Sequence, residues 1–211
     1  MNNSYEIDKS RVQQFGLTAT IKDDRGKEHH FYRGHEYVEI GGLKWAVTNI
    51  GANTETDNGL YFAFGETKGY TAEQVPSGVR KFNENEYTDV NFDAVNIYWG
   101  GNWRLPTREE FYVLLSATTN EWVDDYQCSG VNGRLFTDKT DSSKVLFFPA
   151  VGYCINGTPY RIVPTSYYWS SSINNNNNDN FGVALDFSNW HTNITPYNRF
   201  IGFSIRGVIG E

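Results

Sequence analysis

The apolar residues of this chain occur in short segments, and turn-forming residues separate most of them. Leu17, Ala19 and Ile21 alternate with polar residues and predict a strand, which Asp24-Arg25-Gly26 would end in a turn. Gly41-Gly42 marks a further break. Other strand-like segments are found at 28–33, 37–40, 43–50, 60–64, 145–148, 167–170, 181–187 and 201–208. The chain is therefore expected to form short antiparallel strands joined by long irregular loops.

Two helices are predicted in the first part of the chain. Thr107 followed by Glu110 is a capping box, and Phe111 and Leu114 continue it as an apolar stripe, which predicts a helix over Arg108–Ser116. A second helix is expected from about residue 91 to 98, before a Gly-Gly pair. Helices that come early and strands that come late favour an α+β fold.

Composition excludes several classes of protein. Hydrophobic residues are 39% and charged residues 20% of the chain, as in a globular protein, and aromatic residues reach 16%. The net charge of −7 argues against nucleic acid as the main partner. Residues 1–11 are polar, so we expect neither a leader peptide nor membrane insertion. Cys128 and Cys154 could pair or remain as free thiols.

We expect no metal and no cofactor. His29 and His30 are adjacent, so in a strand they would point to opposite faces and could not share one ion. The chain has no second cluster of Cys or His residues for zinc. Solvated histidines of a hairpin are the simpler interpretation of this segment.

Asparagine is concentrated near the C-terminus. Nine of the 22 asparagines lie in residues 174–198, and Asn174 to Asn178 are consecutive. A polar surface loop would explain this composition. Aromatic, Thr and His residues are interleaved with the asparagines, however, and this mixture is typical of an antibody binding loop. The segment is therefore predicted to carry a binding surface.

Several motifs occur in an order that resembles a known family. They are WGGNWRLPT at 99–107, FFPAVGY at 147–153, YWSSS at 168–172 and GFSIR at 202–206, with YFAFGETKG at 61–69. The chain resembles the Fibrobacter succinogenes major paralogous domain over about residues 37–208. That resemblance implies a C-type-lectin-like fold related to formylglycine-generating enzymes. Residues 1–34 fall outside the resemblance and are expected to form an N-terminal strand or hairpin extension, before a ligand-binding domain at 35–211.

The C-terminal part is similar to the variable region of proteins targeted by diversity-generating retroelements, with a variable segment at about 173–202. This similarity implies a non-enzymatic ligand- or receptor-binding protein with a hypervariable face. The expected setting is a phage tail fibre in the virion, made in the cytoplasm. A bacterial cell-surface adhesin is the alternative. The implied partner is a host cell-surface protein or glycan, and the chain could be a homo-oligomer.

An enzyme related to the formylglycine-generating enzymes is a second alternative. Such an enzyme would need a close cysteine pair in its C-terminal segment, and both cysteines of this chain lie outside that segment. Since a catalytic site must be argued from residues rather than from a fold, we expect no catalytic residue here. The EPN and WND calcium motifs of sugar-binding lectins are also absent from the sequence.

The predicted binding face combines the asparagine run with the segment after the strand 181–187. In that strand Leu185 and Phe187 are expected to face a core, while Ala184 and Asp186 face away. Trp190 could serve either as an anchor for a ligand or as part of the scaffold. The candidate ligand-binding residues are Asn174, Asn175, Asn176, Asn177, Asn178, Asn180, Ala184, Asp186, Trp190, His191, Asn193, Thr195, Tyr197, Asn198, Phe200 and Ile201.

Overall fold

Antiparallel sheets dominate the computed structural model, which describes residues 17–71, 74, 93–155, 158–160, 165–174 and 181–210. The α-helices are α1 (Ala94–Trp99) and α2 (Arg108–Ala117), and Tyr126–Cys128 form a 3-10 helix. The strands are β1 (Thr18–Lys22), β2 (Glu28–Tyr32), β3 (His35–Ile40), β4 (Leu43–Asn49), β5 (Trp103–Arg104), β6 (Thr118–Val123), β7 (Gly133–Asp138), β8 (Val145–Pro149), β9 (Tyr153–Ile155), β10 (Thr158–Tyr160), β11 (Thr165–Ile173), β12 (Phe181–Ser188), β13 (Thr192–Asn198) and β14 (Arg206–Ile209).

These strands form four sheets in the described part of the chain. The largest has the order β1-β2-β3-β4-β14-β5, so that a strand from near the C-terminus completes a sheet begun at residue 18. Strands β6-β7-β8 and β11-β12-β13 form two three-stranded sheets, and β9 pairs with β10. The hairpin β1–β2 continues into this largest sheet through the pairing of β2 with β3.

Local chemistry explains the first hairpin. The Asp23 carboxylate accepts hydrogen bonds from the backbone N–H groups of Arg25 and Lys27, both at 2.9 Å. Such an Asx-type turn is one that aspartate favours, and Gly26 supplies the positive φ of 80° that it needs.

The capping box predicted from the sequence is present. Helix α2 begins after Thr107, whose Oγ1 accepts from the Glu110 N–H at 3.2 Å, while Glu110 Oε2 accepts from the Thr107 N–H at 2.8 Å. Phe111 and Leu114 are fully buried, and the Phe111 ring lies 5.7 Å from the ring of Trp45. The second predicted helix corresponds to α1, which begins three residues later than expected.

Two apolar clusters lie on opposite faces of the sheet β11-β12-β13. Leu185 and Phe187 belong to one cluster, together with Trp45 and Phe111. Ala184 belongs to the other, which is rich in aromatic residues and includes Trp169, Phe203 and Ile205. Each fully buried large side chain contributes about 1.5–3 kcal/mol to stability. Strand β12 is therefore a central element with both faces covered.

Arg206 joins three elements of the fold, and its guanidinium lies 4.5 Å from the centre of the Phe148 ring in the first cluster. Its guanidinium is fully buried and donates to Asn49 Oδ1 at 2.9 Å, to the Ala46 and Val47 carbonyl oxygens, and to the Phe147 carbonyl oxygen at 3.1 Å. A buried polar group is tolerated when its donors are satisfied in this way. The residue therefore joins β14 to β4 and β8.

The expected fold class was wrong. Strands account for 51% and helices for only 12% of the described residues, so the protein is mostly β rather than α+β. The physical reason is that the two predicted helices are short, with six and ten residues, whereas almost every apolar segment between 133 and 209 pairs as a strand. The C-type-lectin-like α+β architecture is thus not the class observed.

The described residues contain no helix that is both long enough and apolar enough to cross a membrane. Cys128 and Cys154 are free thiols, the first exposed and the second buried.

Candidate functional site

The structure separates the predicted binding residues into three groups. Asn175, Asn176, Asn177, Asn178 and Asn180 lie outside the described residues. Asn174 follows β11 and is half-buried, and its backbone N–H donates to the Phe181 carbonyl oxygen at 3.0 Å. The remaining residues lie on β12, β13 and the segments that follow these strands.

The predicted alternation of β12 is present, but its second face, which carries Ala184 and Asp186, is buried rather than exposed. Ala184 is fully buried beside Trp169 in the second apolar cluster, so this side chain cannot touch a ligand. Asp186 is only 4% exposed. The alternation of Leu185 and Phe187 does identify one core face, but aromatic residues from other elements cover the opposite face as well.

Strand register brings Asp186 between residues of both neighbouring strands. Tyr167 of β11 pairs with Asp186 on one side, and Asn193 of β13 pairs with it on the other. Directly paired residues in an antiparallel sheet have their side chains on the same face. Thr195 and Tyr197 share this face, because the side chains of alternate residues in β13 point the same way.

The Asp186 carboxylate is the centre of a hydrogen-bond network. Thr195 Oγ1 donates to its Oδ1 at 2.8 Å, and the other oxygen, Oδ2, lies 3.0 Å from His191 Nε2. Burial is the larger cause that raises the pKa of Tyr197 above its ordinary value, and the charge of the Asp186 carboxylate raises it further. Buried carboxylates are stable where several donors surround them in this manner.

Four tyrosines extend outward from this carboxylate. The rings of Tyr153 and Tyr160 are stacked with centroids 5.2 Å apart, Tyr153 meets Tyr167 edge-on at 5.4 Å, and Tyr167 meets Tyr197 edge-on at 5.1 Å. All four side chains are partly exposed, Tyr160 most of all at 37%. Burial raises the pKa of Tyr167, so this phenol remains a neutral hydrogen-bonding group. We call these tyrosines and Asp186 the tyrosine–aspartate surface.

Phe203 holds the inner edge of this surface. Its ring is 1% exposed, stacks on Tyr167 at 4.7 Å and meets Tyr197 edge-on at 5.4 Å. Aromatic pairs in these geometries add stability beyond the area that they bury. The phenol groups therefore stand on a fixed apolar base.

A hairpin tip adjoins the tyrosine–aspartate surface. Trp190 occupies this tip between β12 and β13 and is 71% exposed, so it is not part of the core scaffold. Its neighbour His191 connects the tip to Asp186, and the Ser188 hydroxyl lies 2.7 Å from His191 Nδ1. Ser188 Oγ also accepts from the Trp190 N–H at 3.3 Å. The turn that presents Trp190 is thus held by side chains at both ends.

Ser188, His191 and Asp186 form a chain of hydrogen bonds like that of a hydrolase. Ser188 is fully buried, however, and its hydroxyl is already engaged by the turn that it stabilises. A nucleophile must reach its substrate, so this geometry suits positioning of the tip rather than acyl transfer. Within the described residues, no three His, Cys, Asp or Glu side chains are arranged to hold a metal ion.

The other predicted residues lie at the margin of the surface. Asn193 is exposed on β13, while Asn198, Phe200 and Ile201 are half-buried around the turn that follows it. The Asn198 carbonyl oxygen accepts from the Ile201 N–H at 3.2 Å, which closes this turn. Arg199 within it is buried, with its guanidinium 5.4 Å from the centre of the Phe64 ring.

Sequence reasoning missed Tyr153, Tyr160 and Tyr167 as surface residues. Tyr153 and Tyr160 are brought here by β9 and β10, which join the rest of the fold through the isolated bridges of Gly152 with Ser166 and Cys154 with Gly202. No local pattern indicates such bridges. The only available signal was the high tyrosine content of the chain, with 14 residues.

Comparison of the chain with protein-family models, curated proteins and solved structures gives no match. The surface combines partly exposed phenols on a fixed base, a buried negative charge, and Asn, Thr and His side chains with a projecting indole. Rigid aromatic area beside adaptable polar groups is the composition of a protein-binding paratope.

Proposed function

We propose that this protein is a non-enzymatic binding protein that contacts its partner through the tyrosine–aspartate surface and the Trp190 tip. The observation that carries this proposal is the unbroken contact from Tyr160 through Tyr153 and Tyr167 to Tyr197, around the carboxylate of Asp186. Tyrosine offers contact area at little entropic loss, because it has only two side-chain torsions. Trp190 has the exposure expected of an interface anchor.

We further propose that this face is the diversified face of a retroelement-targeted protein. Its support is the coincidence of two features in residues 174–201: the asparagine-rich composition, and the location of Trp190 and Asn193 on exposed positions of a fixed scaffold. Replacement of exposed side chains usually changes stability by no more than about 0.5 kcal/mol. Such positions can therefore vary while the fold is kept.

The proposed partner is a protein or glycan on a host cell surface, bound by a phage tail component. A bacterial adhesin with the same binding face is the alternative. Neighbouring genes distinguish the two, because phage structural genes would flank the first. Diversification itself predicts a near-copy of the 3′ end of the gene beside a reverse transcriptase gene. If this near-copy is missing from the gene region, the diversification proposal is wrong.

The binding role is tested by a pair of matched variants. Trp190→Ser with Tyr160→Ser removes two exposed aromatics of the proposed surface, whereas Tyr112→Ser removes an aromatic of similar exposure on α2. Each labelled protein is incubated with a panel of bacterial strains, and bound fluorescence is measured by flow cytometry. The double variant should lose binding to the strains that the wild type binds, and the α2 variant should keep it. Equal binding by all three proteins would place the interface elsewhere.

A further inference from the structure

A cavity of about 290 Å³ opens on the six-stranded sheet, away from the strands that form the tyrosine–aspartate surface. Its volume is near the lower end of the range for small-molecule sites, which suits one ring-sized ligand rather than a chain. The lining residues are Thr18, Tyr32, Tyr37, Lys44, Asn102, Ile209 and Gly210, none of which belongs to the tyrosine–aspartate surface.

Strand register places the lining side chains on one face of this sheet. Thr18 pairs with Tyr32 across β1 and β2, and Lys44 pairs with Ile209 across β4 and β14. His30, which shares a face with Tyr32, pairs with Tyr37 across β2 and β3. Directly paired residues have side chains on a common face, so residues from five strands converge on one cavity.

The two tyrosine rings of the cavity are held by their neighbours. Tyr32 lies 6.0 Å from the ring of the buried Trp103, and its hydroxyl accepts from the Asn102 N–H at 3.2 Å. The ring of Tyr37 is stacked on His30 at 5.8 Å. A Cβ on Gly101 would lie 2.4 Å from the Tyr32 hydroxyl, so glycine there allows the loop to close on the phenol. The aromatic walls are thus pre-formed.

Several polar groups of the cavity have unused hydrogen-bonding capacity. The hydroxyls of Thr18 and Tyr37 form no hydrogen bond with other described residues, and the Tyr32 hydroxyl still has its own proton to donate. Lys44 Nζ lies 5.7 Å from the centre of the Tyr37 ring and forms no ion pair with a described carboxylate. Glu39, its cross-strand neighbour, is the acidic side chain nearest to it in register.

The charges of the cavity favour an anionic ligand. Lys44 is the one charged residue among those that line it, in a protein whose net charge is −7. A lysine ammonium is a compact point charge that binds a carboxylate without the fixed two-pronged geometry of arginine. Tyrosine faces attract the weakly positive C–H groups of a saturated ring, because the aromatic face is negative. Hydroxyl groups around both features match a polyhydroxylated ligand.

We propose that this cavity binds a sugar acid, a pyranose ring that carries one carboxylate. The ring lies against Tyr37 and Tyr32, the carboxylate meets Lys44 Nζ, and sugar hydroxyls bond to Thr18 and Asn102. The site shares no residue with the tyrosine–aspartate surface. The result of a sugar-acid binding test therefore does not decide the function proposed above.

The test uses methyl β-glucuronide as the probe and amide chemical-shift titration as the measurement. Binding should shift the backbone resonances of Asn102, Ile209 and Gly210. Lys44→Gln should weaken binding about five- to tenfold, as expected for loss of one charge-assisted hydrogen bond at a partly exposed site. Glu39→Gln should strengthen it, because an opposing charge is removed. Tyr37→Ala should abolish it, and Tyr112→Ala on α2 is the matched control.

Each comparison can overturn the proposal. Methyl β-glucoside has the same ring without the charge, so equal affinity for it would show that Lys44 does not recognise the carboxylate. Benzoate has the charge without the sugar ring, and binding as tight as that of the glucuronide would exclude a sugar site. Absence of any shift at millimolar glucuronide would show that the cavity binds no sugar acid. If Tyr37→Ala does not fold, the opposite effects expected for Lys44→Gln and Glu39→Gln still decide.

Discussion

Asp186 shows how a single residue can organise a surface that it barely reaches. Its carboxylate is 4% exposed, accepts a hydrogen bond from Thr195 and lies beside His191, and its charge acts on the phenols of Tyr167 and Tyr197. Removing one partner from such a network leaves a buried polar group unsatisfied, at about 1–3 kcal/mol. The negative charge therefore keeps the polar groups of the surface in one arrangement.

This electrostatic role predicts an effect of Asp186→Asn on Tyr197. Burial, and then the Asp186 and Tyr167 charges, raise the pKa of Tyr197 above its ordinary value of 10.0. Asparagine keeps the size of the side chain but removes the charge, so the pKa of Tyr197 should fall toward 10.0 while remaining above it because burial persists. The measurement is an NMR titration of tyrosine ring carbons.

Thr195→Val is the control for this titration. The Thr195 hydroxyl lowers the pKa of Tyr197, so its removal should not lower that pKa further. A Tyr197 pKa that is the same in Asp186→Asn and in the wild type would show that the carboxylate does not act on this phenol.

Among the elements, those specified by local chemistry were predictable from the sequence. The capping box of Thr107 and Glu110 lies within four residues, and α2 begins where it predicts. Strand β8 was likewise indicated by its continuous apolar run, and Phe147 and Phe148 are buried. Strand β12 was located correctly, but its burial on both faces depends on residues such as Phe203 that are distant in sequence. The alternation of apolar residues along β12 does not reveal that its second face is also buried.

The N-cap residue Thr107 is expected to contribute to the stability of α2. Thr107→Ala should lower the free energy of unfolding by about 1 kcal/mol, because the Glu110 N–H loses its acceptor. Chemical denaturation at neutral pH measures this change. Ser116→Ala, at an exposed position near the other end of α2, is the comparison and should have a smaller effect. An unchanged unfolding midpoint in Thr107→Ala would contradict the capping role.

The same helix predicts a dependence of stability on acid. Burial raises the pKa of Glu110, but hydrogen bonds from Arg104 and Thr107 outweigh it and hold the pKa below its ordinary value of 4.5. A carboxylate with a lowered pKa in the folded state stabilises the fold above the unfolded pKa and loses this contribution as pH falls. Stability should therefore drop below about pH 4.5.

Glu110→Gln tests this dependence, because glutamine does not titrate. In urea titrations, the free energy of unfolding of the variant should be lower than that of the wild type at neutral pH. It should also change less with pH in the acid range. Glu121→Gln on β6, an exposed position, is the matched control and should leave the acid dependence as it is. Identical pH profiles for Glu110→Gln and the wild type would exclude this contribution.

At the scale of the whole molecule, β11 and β12 separate two aromatic cores and support the binding face at their margin. Tyr168 and Leu185 pack into one core, and Trp169 and Ala184 into the other. The positions along β13 consequently differ in how deeply they contribute to packing. Asn193 is exposed, whereas Thr195 bonds to Asp186 and Tyr197 contacts Phe203. Variation without loss of stability is therefore expected at only part of this face.

This difference predicts opposite outcomes for two double variants of the same face. Trp190→Ser with Asn193→Ser should leave the free energy of unfolding within about 1 kcal/mol of wild type, because both side chains are exposed. Thr195→Ala with Tyr197→Ala should lose roughly 2–4 kcal/mol, because Asp186 loses a donor and Phe203 loses a ring contact. Thermal and urea unfolding measure both, and cell binding is followed in parallel. Only the first double variant should lose cell binding while it keeps the stability of the wild type.

If both double variants unfold like the wild type, Thr195 and Tyr197 do not support the fold and the whole of β13 is free to vary. If the Trp190 and Asn193 pair unfolds early instead, the hairpin tip belongs to the scaffold and a diversified binding face cannot include it.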